Sequence, residues 1–224
     1  MTQNLKLSVL IVGLLCVLSM SAQTTAPKYT EFYYQRESLF NELPVDSTNI
    51  VMLGNSLTNG AEWHELFANP KVINRGITGD TAQGILDRME PIISGNPAKI
   101  FLLTGANDIS HHLTADSIST AIVELVQYIR RNTPDTKVYV QSVLPINNEF
   151  GRYKNMIGKE PVVSDVNKML QEKLKDYDVV WLNVNPLFAD ENGNLRKDLT
   201  NDGLHLLGPA YIMWRDFLLP YINE

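Results

Sequence analysis

The sequence predicts an α/β protein: a three-layer α/β/α sandwich around a parallel sheet of five strands. Two observations carry this. Five short apolar runs recur along the chain, and segments with apolar residues at helical spacing lie between them. Strands that alternate with helices make βαβ units, which build a parallel sheet covered on both faces.

The elements follow in order. Tyr29 to Leu43 reads as an amphipathic helix packed ahead of the first strand. The strand runs are Ile50-Val51-Met52-Leu53, Val72-Ile73, Ile100-Phe101-Leu102-Leu103, Val138-Tyr139-Val140 and Val179-Val180-Trp181-Leu182. Their apolar residues are continuous rather than alternating, as strands buried on both faces require. Between the third and fourth runs, Ile118, Ile122, Leu125, Val126 and Ile129 form a helical stripe that Asn132-Thr133-Pro134 stops. Val163, Val166, Leu170 and Leu174 form a second stripe, and a last helix begins near Gly208-Pro209. No repeat, low-complexity tract or linker divides residues 23–224, which read as one domain.

The 224 residues carry a net charge of -6, with 44% hydrophobic and 20% charged residues. That balance suits a globular domain with a sizeable core. The acidic excess argues against a nucleic-acid partner, as does the lack of a Lys/Arg run with interleaved aromatics. Lys6 precedes the apolar run Leu7 to Met20, and Ser21-Ala22-Gln23 follows it. A basic start, a short apolar centre and small residues at its end describe a secretory signal peptide over residues 1–22. The run is short for a bilayer span, which needs roughly 20 residues. The expected protein is secreted or periplasmic, without stable membrane association after cleavage. Cys16, the one cysteine, lies inside this leader. Cleavage near Ala22 would remove it, and with it disulfides, thiol catalysis and cysteine-ligated zinc.

Four loops carry candidate chemistry. The first strand runs into Gly54-Asn55-Ser56-Leu57-Thr58-Asn59-Gly60. Ligands of parallel sheets bind beyond the carboxyl ends of the strands, so Ser56 stands at a strand-to-helix turn facing that crevice. The segment also reads as a plain helix cap, or as the phosphate loop of a flavodoxin-like binding module. The second strand leads into Gly79-Asp80-Thr81, where Asp80 with Gln83 fits a capping box. Gly79 either presents a bare amide to the crevice or serves a positive-φ turn. After the third strand, Asn107 can donate to a negative oxygen, though Asn107 and Asp108 can equally close the turn. Asp202-Gly203-Leu204-His205 precedes the last helix. Its spacing lets the carboxylate hold the imidazole's tautomer while the other ring nitrogen faces a serine.

Serine, glycine, asparagine and the Asp-His pair all fall on loops after successive elements of one sheet. That ordered set resembles the SGNH hydrolase superfamily of GDSL-like esterases and lipases, from Val51 to about Trp214. The resemblance implies a flavodoxin-like sheet and an acyl-enzyme esterase that needs no cofactor. It implies a catalytic triad of Ser56 as nucleophile, His205 as base and Asp202 as its partner. The Ser56 amide, the Gly79 amide and the Asn107 side chain would form the oxyanion hole. Asn55 replaces the Asp of the namesake Gly-Asp-Ser-Leu, a change that bears on local hydrogen bonding and not on the triad. Ser-x-Gly, the mark of an α/β-hydrolase elbow, is absent because Thr58 follows Leu57. Export and the resemblance together point to O-acetyl esters on carbohydrates. The alternative substrate is a lysophospholipid or an acetylated ether lipid, since the blocks also look like the platelet-activating-factor acetylhydrolase subgroup.

His111-His112 point different ways and have no carboxylate pattern beside them, so no metal is expected. Asp190-Glu191-Asn192-Gly193 reads as a tight turn rather than a calcium loop. Trp181 and Trp214 read as core, and Trp63 as a candidate wall of the crevice. Asn147 to Glu160 is long for a loop in a compact domain. It leaves the fourth strand on the crevice side, which makes Phe150, Arg152, Tyr153 and Met156 candidate substrate contacts.

Overall fold

A computed structural model describes residues 27–224; the signal peptide expected at 1–22 lies outside the described residues. The strands are β1 (Ile50–Gly54), β2 (Val72–Gly76), β3 (Lys99–Leu103), β4 (Lys137–Gln141) and β5 (Val180–Leu182). All pair in parallel, in the order β2-β1-β3-β4-β5. This is the flavodoxin-like order, whose winding reverses between β1 and β3. Each of the five apolar runs marks one of these strands, with Val179 just ahead of β5.

The helices in chain order are α1 (Glu31–Glu42), α2 (Ser56–Asn59), α3 (Trp63–Leu66), α4 (Ala82–Asp87) and α5 (Glu90–Ile93). They continue with α6 (Ala106–Ser110), α7 (Ala115–Asn132), α8 (Glu160–Lys173), α9 (Asn185–Phe188) and α10 (Gly208–Asn223). Alternate strand residues sort them into two layers. Val51, Leu53, Ile100, Leu102, Val138 and Val140 meet α4 to α8 on one face. Ile50, Met52, Phe101, Leu103, Tyr139 and Leu182 meet α2, α3, α9 and α10 on the other. A strand residue thus finds a helix whichever way it points, which is why the runs are continuous.

The α7 stripe (Ile118, Ile122, Leu125, Val126 and Ile129) is buried throughout, and the Thr114 hydroxyl caps the helix by accepting from the Ser117 amide. Each such side chain contributes about 1.5–3 kcal/mol on burial, so packing rather than propensity holds the helix. Val163, Val166 and Leu170 do the same for α8, while Leu174 falls in the short turn after it. Tyr33 and Phe40 anchor α1 against Ile77, in the loop that also carries Gly79.

Two expectations are corrected. Thr81, not Asp80, caps α4: its hydroxyl accepts from the Gly84 amide at 3.1 Å. Asp80 turns inward instead, because a buried arginine, Arg88, takes its carboxylate at 2.8 Å. Trp63 is fully buried in the core, its ring 5.1 Å from that of Trp214 and its Nε1 donating to the Thr58 carbonyl. Trp214 is core as expected; Trp181, near the sheet edge, is only half-buried. Among the described residues no helix is long and apolar enough to cross a membrane.

Candidate active site

The crevice opens at the carboxyl ends of β1, β2 and β3, where the winding reverses. Ser56 is the first residue of α2. Asn55 caps that helix, its Oδ1 accepting from the Leu57 amide at 3.0 Å. Asn55 thus supplies an acceptor to the helix start as a carboxylate could. Its Nδ2, however, is buried without a partner.

Asp202 and His205 meet Ser56 from across the crevice. Asp202 Oδ1 accepts the amides of Leu204 at 2.9 Å and His205 at 2.8 Å, which shapes the loop. Its Oδ2 lies 2.8 Å from His205 Nδ1, and His205 Nε2 lies 3.0 Å from Ser56 Oγ. A proton on Nδ1 satisfies the carboxylate and leaves the Nε2 lone pair for the serine hydroxyl. Gly203 between them has φ +85°, and a Cβ there would sit 2.1 Å from the Asn147 carbonyl oxygen, so only glycine fits. Burial alone would raise the Asp202 carboxyl. Hydrogen bonds from the His205 ring, the His205 and Leu204 amides and the Tyr153 hydroxyl outweigh it and bring the group down to about 2.

Two further groups face the same space. Gly79 has φ +84° and nothing within 4 Å of where a Cβ would stand. Its amide has no acceptor among the described residues, so both readings of this glycine hold together. Asn107 Nδ2 donates to the Asp80 carbonyl at 2.8 Å, which orients the amide and leaves its second hydrogen for a ligand. Asp108 turns away, its buried carboxylate accepting from the Ala82 amide at the start of α4.

Ser56, Gly79, Asn107 and His205 line one cavity of about 540 Å³, together with Arg152, Tyr153 and Met156 from the long loop after β4. Of the candidate substrate contacts, Arg152, Tyr153 and Met156 therefore reach the cleft. Phe150 does not: it lies against Gly203 and outside the lining. At Thr78, Gly79 and Asn107 the cleft continues into a second cavity of about 600 Å³, walled by Tyr29, Tyr33 and His111. Two contacts escaped the sequence reading. Tyr153 bonds Asp202, across 49 positions of sequence. Arg88 ties Asp80 to the Gly54 and Arg75 carbonyls. Neither contact leaves a local pattern.

A hydroxyl, an imidazole and a carboxylate in series, beside converging N–H donors, can activate an oxygen nucleophile and hold a developing oxyanion. Sheet order and site together define an SGNH-type hydrolase. The chain belongs to the GDSL-like lipase/acylhydrolase family, whose model matches residues 52–211, and is a hydrolase acting on ester bonds. It is 28% identical over 185 residues to rat platelet-activating factor acetylhydrolase IB subunit alpha1, covering 78% of this chain and 76% of that protein. A GDSL-like lipase from Bacteroides thetaiotaomicron superposes with TM-score 0.74 and 25% identity, over 86% of this chain and 98% of that one. An acetyl-xylooligosaccharide esterase mutant from Geobacillus shares the fold, with TM-score 0.63 and 14% identity over 80% of this chain and 96% of that one.

Proposed function

We propose that the protein is an exported serine esterase that removes short acyl groups, O-acetyl above all, from carbohydrates through an acyl-enzyme. The observation that carries the reading is the continuous path from Asp202 through His205 to Ser56, at 2.8 and 3.0 Å. In this reading His205 Nε2 takes the Ser56 proton as Oγ attacks the ester carbonyl. The carbonyl oxygen becomes negative and is held by the Ser56 and Gly79 amides and Asn107 Nδ2. Collapse of the tetrahedral state expels the alcohol, which takes its proton from His205. Water then attacks the acyl-serine with His205 again as base, releasing the acid and restoring Ser56. Asp202 keeps Nδ1 protonated and balances the imidazolium.

The second cavity supports a carbohydrate alcohol. Lys28, over the Tyr29 ring at 5.2 Å, is already paired with Asp87. A choline-type headgroup would find that aromatic face taken by a cation, whereas a neutral hydroxylated ligand meets threonine hydroxyls and tyrosine rings. The acetylhydrolase relatives favour a second reading, a lysophospholipid or acetylated ether lipid. A phosphate-binding module gives no reason for an Asp-His pair at Ser56.

The test is kcat/KM on p-nitrophenyl acetate, butyrate and octanoate, then on acetylated oligosaccharides and lysolipids. A fall with chain length and turnover of the sugars support the proposal. A steady rise towards octanoate, with turnover of lysolipids alone, would replace it with the lipid reading.

A further inference from the structure

We infer that Tyr153 is a positioning residue of the hydrolytic site, whose hydroxyl holds the Asp202 carboxylate in place behind His205. The inference rests on the triad reading above. Tyr153 Oη lies 3.0 Å from Asp202 Oδ2 and 3.1 Å from His205 Nδ1. Asp202 Oδ2 therefore receives two donors, His205 Nδ1–H and the phenol, while Oδ1 receives two backbone amides. Bonds on both oxygens fix the carboxylate's rotation, and with it the plane of the imidazole. The Tyr153 ring stands edge-on to that imidazole, with centroids 5.6 Å apart. Burial, and then the hydrogen bond to Asp202 and its charge, raise the phenol above its ordinary value, so it remains a donor.

Tyr153 also joins two parts of the site that the chain keeps far apart. It sits on the β4–α8 crossover, beside Arg152 and three residues before Met156, both of which line the cleft. The same crossover is tied to the Asp-His loop by its backbone, since the Asn147 amide donates to the Gly203 carbonyl at 2.8 Å. Loop and triad are thus linked at two points, one through main chain and one through the phenol.

Tyr153→Phe keeps the ring and deletes only the donor. On p-nitrophenyl acetate kcat falls about tenfold to a hundredfold, the effect of losing one hydrogen bond to a charged group, with little change in KM. The acid limb of kcat/KM moves up, because Asp202 no longer shares its charge with the phenol and acts more strongly on the His205 ring. A mere substrate contact would instead raise KM with kcat and the limb unchanged. A mere strut would lower Tm while leaving both kinetic readouts as in the wild type. Either result would overturn the inference. Fluorophosphonate labelling separates it from its foundation: a wild type unlabelled at Ser56 sinks the triad and Tyr153 together. A labelled wild type with unaltered Tyr153→Phe kinetics sinks Tyr153 alone.

Discussion

Arg88 and Asp80 form an ion pair of 2.8 Å whose side chains are 2% and 0% exposed, beneath the floor of the crevice. The Arg88 guanidinium also donates to the carbonyls of Gly54 and Arg75, at the carboxyl ends of β1 and β2. The Asp80 carbonyl in turn orients Asn107. One buried pair therefore braces the three loops that present Ser56, Gly79 and Asn107.

Breaking that pair should cost more than an ordinary core change. Arg88→Met leaves the Asp80 carboxylate buried without its partner and should destabilise the fold by about 3–5 kcal/mol. In whatever fraction folds, kcat should fall more than KM rises, since the oxyanion donors lose their alignment. Asp80→Asn should be milder, because Arg88 keeps its two carbonyl partners. Urea unfolding and steady-state kinetics check both; an Arg88→Met protein within about 1 kcal/mol of wild type would contradict the bracing role.

Asn107 tests the oxyanion hole. Its side chain donates to an oxygen that is negative only in the tetrahedral state, so Asn107→Ala should lower kcat about a hundredfold to a thousandfold with KM little changed. Asn107→Asp should be as bad or worse, placing a like charge against the oxyanion. Asp108→Asn is the control. Its carboxylate faces the Ala82 amide and not the cleft, so the change should register in Tm rather than kcat. Near-normal kcat in a well-folded Asn107→Ala would leave the oxyanion to backbone amides alone.

Asp202 sets the low-pH behaviour. Its carboxyl is depressed to about 2 by its donors, so the ionised form is favoured in the folded state. The stability it contributes is present above the ordinary carboxylate value and is lost as pH falls from there through about 2. Asp202 should accordingly stay ionised down to about pH 3, so the loss of activity above that point comes from other groups, among them Asp80, whose carboxyl burial pushes up to about 6. An Asp202 carboxyl signal that titrates at the ordinary value of about 4 in NMR would contradict the low value its donors give it.

Much of this was legible in the residues. Continuous apolar runs reveal strands covered on both sides, and the α7 and α8 stripes reveal their helices, because period and burial are local properties. Ser56, Gly79, Asn107 and the Asp202–His205 pair were legible for a related reason: each follows an element of the same sheet, so order along the chain implies nearness in space. Asp80 was misread because its capping pattern is local, while the guanidinium that claims it comes from beyond the helix it was thought to cap. Trp63 follows the serine turn in sequence, yet its indole fills the core beside Trp214. Phe150 and Tyr153 share one loop, and only the path of that loop decides which of them reaches the cleft.

The central claim is that His205 and Asp202 make Ser56 a nucleophile. It is tested most directly by stoichiometric labelling with a fluorophosphonate, read by intact mass and peptide mapping. The account predicts one adduct per chain on Ser56, formed in the wild type, abolished in Ser56→Ala and slowed by orders of magnitude in His205→Ala, with ester hydrolysis lost in parallel. Absence of an adduct on Ser56 in the wild type, or a Ser56→Ala protein that keeps more than about a tenth of its ester hydrolysis, would contradict it.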